Sequence, residues 1–216
     1  FVVAPSQLLT DSSAVMSFER VSANIQNVRV RCANAAERAG RNPSEITLLA
    51  VTKTVLPDTI LAAYQTGLKQ YGESYVQEAK TKIGQPPLDV PDIEWHFIGH
   101  LQSNKVRDVV GKFALIQSVD SPSLANEISK RAQRLGIVQD ILLEVKLDTS
   151  SAKFGIPVDE VPFMVEDIGD MTGVRIRGLM GMAPFSSDER VVRTAFQTLY
   201  KQFERLPLPI RQTLSM

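Results

Sequence analysis

Ile46-Thr47-Leu48-Leu49-Ala50-Val51-Thr52-Lys53 is a short apolar, β-branched run that ends on a lysine. Its composition reads as a buried strand. Thr54-Val55-Leu56-Pro57 follows, and a proline is preorganised for the first turn of a helix. A lysine at the carboxyl end of a buried strand, just before a helix, projects where α/β folds assemble their chemistry. Desolvation there favours an uncharged amine, and a neutral amine condenses with an aldehyde to a Schiff base. A lysine in this place can equally leave the sheet only to pair with a carboxylate, and this segment alone does not separate the two.

The alternation of strand and helix extends outward from Lys53. Val21, Ile25, Val28, Cys32 and Ala35 recur at helical spacing before it, and Gly40 closes that helix. After it, helix is expected over 57–64, 75–83, 104–110, from Ser121-Pro122 to about 135, over 158–168 and over 188–206. Strands are expected over 68–71 (broken by Gly72-Glu73), 94–98, 114–119, 140–147 and 174–182, with another beginning at Thr213. The 140–147 run is too apolar for a half-exposed strand, so both of its faces are expected to be buried.

Strands separated by single helices imply a parallel sheet with right-handed crossovers. The Lys53 strand ends in Val-Thr-Lys-Thr with no glycine, which disfavours a dinucleotide site in a doubly wound sheet. The expected fold is therefore α/β, a (β/α)8 TIM-type barrel. Such a barrel needs about 30–40 residues beyond Met216 for its last strands and helices, so the sequence is expected to be truncated at its carboxyl end. The truncation would leave an open sheet edge prone to aggregation. Residues 1–15 are expected to be an extension or a loose, disordered arm, with Met16 a candidate natural start. Residues 16–216 are expected to form a single barrel domain.

Composition narrows the partners. The 216 residues are 44% hydrophobic, with 24 Lys plus Arg against 24 Asp plus Glu. Zero formal charge favours neither nucleic acid nor an anionic membrane. Cys32 is the one cysteine, so no internal disulfide forms and a reducing compartment fits. No apolar run approaches the roughly 20 residues that span a bilayer.

In a barrel the strand ends meet on one face. That gathers Lys53, Gly72-Glu73-Ser74, His96 to His100, Asp120, Lys146-Leu147-Asp148 and Met182-Ala183-Pro184. Gly99 to Lys105 leads into a helix and offers backbone N–H groups to an anion, or is an ordinary loop with Ser103 as N-cap. His96 and His100 have the spacing of a helical metal pair, but His96 sits on a strand and Gly99 intervenes, so no metal site is expected. Trp95 and Phe97 flank His96 at strand period and are expected to pack.

Three blocks now carry a resemblance: Ala50-Val51-Thr52-Lys53-Thr54, Tyr71-Gly72-Glu73-Ser74-Tyr75-Val76-Gln77-Glu78, and Trp95-His96-Phe97-Ile98-Gly99-His100-Leu101-Gln102-Ser103-Asn104-Lys105. They resemble the YggS/PROSC family of pyridoxal 5′-phosphate (PLP) homeostasis proteins, related to the N-terminal barrel of alanine racemase. Lys153-Phe154-Gly155, Arg177-Gly178-Leu179-Met180 and Leu214-Ser215-Met216 resemble later segments of that family in the same order.

The resemblance implies a fold-type III PLP barrel, Lys53 as the Schiff-base lysine, and cofactor contacts at Ser74, His96 and Met216. It implies a monomeric carrier in intracellular PLP homeostasis, handing PLP to PLP-dependent apoenzymes, with no catalytic residue of its own. The alternative is a PLP-dependent amino-acid racemase, which needs an acid/base group on each face of its substrate. Two positions depart from the family pattern. Ser74 stands where asparagine is usual, and Lys146 stands where the family has asparagine after valine. The family's phosphate-binding segments and the arginine facing the pyridine nitrogen are expected beyond Met216.

Overall fold

The computed structural model describes residues 2–3, 17–148 and 154–216. They fall into two compact units, Phe1–Trp95 and His96–Met216, each taken by itself.

In the first unit, β1 (Val2–Val3), β2 (Leu49–Val51) and β3 (Gln70–Glu73) are parallel and adjacent in chain order. Leu49, Ala50 and Val51 sit opposite Gln70, Tyr71 and Gly72. α1 (Phe18–Arg38) starts on Ser17, whose hydroxyl accepts from the Arg20 N–H. Its Arg29 reaches the Thr66 carbonyl at the end of α2 (Pro57–Gln65). Pro57 does open α2, and Thr66 caps it. β3 runs through Gly72-Glu73 instead of breaking there, because the Thr52 N–H donates to the Gly72 carbonyl at 2.9 Å and prolongs the ladder. α3 (Val76–Lys80) is shorter than the expected helix and continues as a turn.

The boundary between the units falls within β4 (Glu94–Phe97). β4, β5 (Leu115–Val119), β6 (Gln139–Glu144), β7 (Val174–Met180) and β8 (Thr213–Ser215) are parallel and neighbour one another in chain order. Neither unit shows the order reversal of a doubly wound sheet. Ile141, Leu142 and Leu143 are fully buried, so β6 is covered on both faces as its composition required. Leu115, Leu142 and Met180 form one apolar cluster across three strands.

α5 (Pro122–Arg134) begins on Ser121, whose Oγ accepts from the Leu124 N–H. α6 (Val161–Gly169) follows a 3₁₀ turn, and α7 (Glu189–Glu204) is capped by Asp188. The helix expected over 104–110 divides into a 3₁₀ turn at 103–105 and a four-residue α4 (Val106–Val109). Ser103 is not an N-cap: the Lys105 N–H turns back to the Gln102 carbonyl at 2.9 Å, and no side chain caps either piece. So short a helix provides no aligned N-terminus for an anion. Trp95 and Phe97 pack as expected, Trp95 at 5.6 Å from the Tyr71 ring and Phe97 edge-on to Phe113 at 5.3 Å.

Candidate functional site

Lys53 stands two residues past the end of β2, in a turn, and is half-buried. Its amine makes no hydrogen bond or ion pair with any described residue. The reading in which Lys53 merely seeks a carboxylate therefore finds no carboxylate among the described residues. Ser74 directly follows β3, the neighbouring strand, and is also half-buried. The pairing of β2 with β3 brings these two strand ends side by side.

Beneath Lys53 lies a buried charged network that the sequence reading passed over. Lys82 is 3% exposed and Glu73 is fully buried. Lys82 Nζ donates to the Thr52 carbonyl at 2.7 Å, to Glu73 Oε1 at 2.8 Å and to Glu78 Oε1 at 2.6 Å. An ammonium has three donors, and all three are used. The Thr52 hydroxyl also donates to Glu73 Oε1, at 2.7 Å. Glu73 Oε2 has no partner among the described residues. Burial raises the Glu73 pKa, while the hydrogen bonds from Lys82 and Thr52 pull it down. The unit thus holds one lysine that is wholly engaged and, at the adjoining strand end, one that is not.

In the second unit His96 is 7% exposed on β4, with its Nδ1 2.8 Å from the Gln117 amide nitrogen on β5. Gln117 donating there makes Nδ1 the acceptor and leaves the ring proton on Nε2. Met216 follows β8 and is half-buried. The Gly181 N–H donates to the Ser215 carbonyl, which extends the β7–β8 ladder to the residue before Met216. Lys153 of the Lys153-Phe154-Gly155 segment lies outside the described residues. No group of three or more His, Cys, Asp or Glu among the described residues is arranged to hold a metal ion. No described helix is long and apolar enough to cross a membrane.

A second cluster joins the ends of β4, β5 and β6. His100 Nδ1 lies 3.7 Å from Asp120 Oδ2, and the His100 ring stacks on Phe154 at 3.6 Å with a 10° tilt. Burial, reinforced by the charge of Asp120, pushes the Glu144 carboxyl up to about 7. Its value when unfolded is the ordinary 4.5, so its favourable contribution is complete below that pH and is lost as pH rises through about 7. Glu144→Gln is therefore expected to stabilise the protein at pH 8, by at most about 3 kcal/mol, and to leave stability at pH 4 nearly unchanged. Urea unfolding at the two pH values checks this. An equal effect at both would show that Glu144 ionisation is not what the substitution removes.

Residues 21–216 match the family described as alanine racemase, N-terminal domain. The chain belongs to that family. Among its relatives, the pyridoxal phosphate homeostasis protein of Aquifex aeolicus (strain VF5) is 40% identical over 181 residues, covering 84% of this chain and 77% of its own. PipY of Synechococcus elongatus PCC7942, solved without PLP, superposes with a TM-score of 0.80 at 31% identity, over 91% of this chain and 88% of that one. The same protein solved with PLP bound superposes with a TM-score of 0.73 at 30% identity, with the same coverage.

The resemblance to the PLP homeostasis proteins and the alanine racemase N-terminal barrel is borne out at family level. The fold of this alanine racemase-type domain is accordingly the α/β barrel type expected from the strand and helix alternation. Its residues also fit an aldehyde-bearing group on their own terms: a half-buried amine with no partner among the described residues stands past one strand end, and a hydroxyl past the neighbouring one.

Proposed function

We propose that this protein binds PLP as a Schiff base on Lys53 and acts in intracellular PLP homeostasis as a carrier, with little or no catalysis of its own. The observation that carries the reading is the half-buried amine of Lys53 just past the carboxyl end of β2, without a partner among the described residues, near a buried lysine whose three donors are all taken. Bound PLP supplies an aldehyde that an uncharged amine attacks. Relatives named pyridoxal phosphate homeostasis protein and PipY with PLP bound support the choice of aldehyde.

Ser74, His96 and Met216 are proposed as the cofactor contacts, within one PLP-binding domain over 16–216. PLP-dependent apoenzymes are the proposed recipients, and a cytoplasmic monomer is the proposed working form. His96 brings a ring held through Nδ1, which suits packing and hydrogen bonding to a ligand better than shuttling protons on two faces of a substrate.

Borohydride reduction in the presence of PLP, followed by peptide mass spectrometry, tests the assignment. Pyridoxyl label is expected on Lys53, with that peptide's label lost in Lys53→Ala and Lys82 unmodified. Label spread over exposed lysines, and undiminished in Lys53→Ala, would refute the site.

A further inference from the structure

The peptide groups on either side of Lys53 are both held by one ion pair, of a buried lysine with a half-buried glutamate. On the amino side, the Thr52 carbonyl accepts from Lys82 Nζ at 2.7 Å. On the carboxyl side, the Thr54 N–H donates to Glu78 Oε1 at 2.5 Å. Glu78 and Lys82 stand one helical turn apart and meet at 2.6 Å through that same carboxylate oxygen. Thr54 has φ of 63°, a left-handed conformation that a β-branched residue adopts only under constraint. Two hydrogen bonds hold it there: the Glu78 bond, and the Val55 N–H donating to the Thr52 carbonyl at 3.0 Å across the turn.

We propose that Glu78, anchored by Lys82, is the positioning residue for Lys53. The clamp sets the direction in which the lysine amine leaves the sheet, and so the rate at which it meets an aldehyde. This rests on the Schiff-base reading above. In the step it serves, Lys53 Nζ adds to the aldehyde carbon, a C=N bond replaces the C=O bond, and the carbonyl oxygen leaves as water with both amine hydrogens. Glu78 touches neither reactant. It acts through the backbone of Thr54, and the lysine it orients is free to react because Lys82, not Lys53, neutralises the carboxylates.

Two conservative substitutions separate orientation from charge. Glu78→Gln removes the charge but keeps an oxygen at the same reach for the Thr54 N–H. Glu78→Asp keeps the charge beside Lys82 but draws the oxygen back by a methylene. The rate of borohydride-trappable labelling of Lys53 is measured for wild type and both variants, with PLP and with phosphate-free pyridoxal, alongside thermal unfolding. The expected order is Glu78→Gln within about threefold of wild type and Glu78→Asp slowed about tenfold or more, equally for both aldehydes, with both variants folded.

The reverse order, Asp near wild type and Gln slow, would mean that charge matters and orientation does not. Rates equal to wild type in both variants would overturn the proposal as well. A deficit seen with PLP alone would assign Glu78 to the phosphate end and overturn it too. Should either variant fail to fold, Glu78→Ala in the folded fraction gives the same reading, with slow labelling expected and a wild-type rate overturning the clamp. Wild-type protein unlabelled at Lys53 would instead sink the Schiff-base reading itself, so the two failures are told apart.

Discussion

Lys82→Met is expected to destabilise the folded protein by about 3–5 kcal/mol, the range found when one partner of a buried ion pair is removed. The side chain is nearly fully buried and satisfies three acceptors at once. Methionine fills much of the volume but leaves Glu73 Oε1 with only the Thr52 hydroxyl, and leaves the Thr52 carbonyl without its lysine donor. The pH dependence makes the prediction sharper. Burial already raises the Glu73 pKa, and removing the adjacent cation raises it further. A carboxyl whose folded value lies above its unfolded value stabilises the fold in acid and loses that contribution as pH rises through the folded value. The penalty in Lys82→Met is therefore expected to be larger at pH 8 than at pH 5, measured by urea unfolding at each. A loss below about 1 kcal/mol, or one that grows toward acid, would contradict a network built on ionised carboxylates.

That network also shows where the sequence could and could not be read. The strand ending at Lys53 was legible because apolar, β-branched residues stop abruptly at a lysine and a proline follows. Ser121 and Asp188 were legible as helix starts because capping is local chemistry. Glu78 and Lys82 have the i,i+4 spacing of a helical ion pair, so half of the network was in principle visible. Its partners were not. Thr52 lies 30 residues from Lys82 and Glu73 sits on a strand taken to end before it; only the pairing of β2 with β3 brings them under one ammonium. The raised Glu144 carboxyl likewise depends on burial by the assembled sheet, and secondarily on Asp120 just past the end of the neighbouring strand. Val2–Val3 pairs with Leu49 and Ala50 through the backbone, and two residues carry no period to announce it. Ser103 misled because a residue of capping type stands inside the 3₁₀ turn that precedes α4. Local rules named the elements, and the contacts between elements supplied the chemistry around Lys53.

Gly178→Ala is expected to cost roughly 3–5 kcal/mol, combining overpacking with an unfavourable backbone angle. Arg177-Gly178-Leu179-Met180 entered as a resemblance with no physical reason attached, and β7 supplies the reason. Opposite β6 the register slips between Ile141 and Leu142, so that Ile176 and then Gly178 are the successive partners and Arg177 is the extra residue. Such a bulge turns the strand locally. Gly178 takes φ of 149° there, and an added Cβ would lie 1.9 Å from the Thr213 carbonyl oxygen and 3.1 Å from the Phe203 ring. Thr213 is its partner across the β7–β8 ladder, so the clash is with backbone that cannot turn aside. The methyl group would have to push β8 away from β7, and β8 leads directly to Met216. The β8 end is thus expected to loosen together with the loss of stability, seen as faster amide exchange at Leu214 and Ser215 than at Ile141 to Leu143. Gly169→Ala makes a fitting control: it lies at the end of α6, where a Cβ would meet nothing within 4 Å. That change is expected to be neutral or to stabilise by up to about 1 kcal/mol. If both substitutions proved equally mild, the close approach of β8 to Gly178 would be wrong, and with it the reason this strand needs a glycine where it bends.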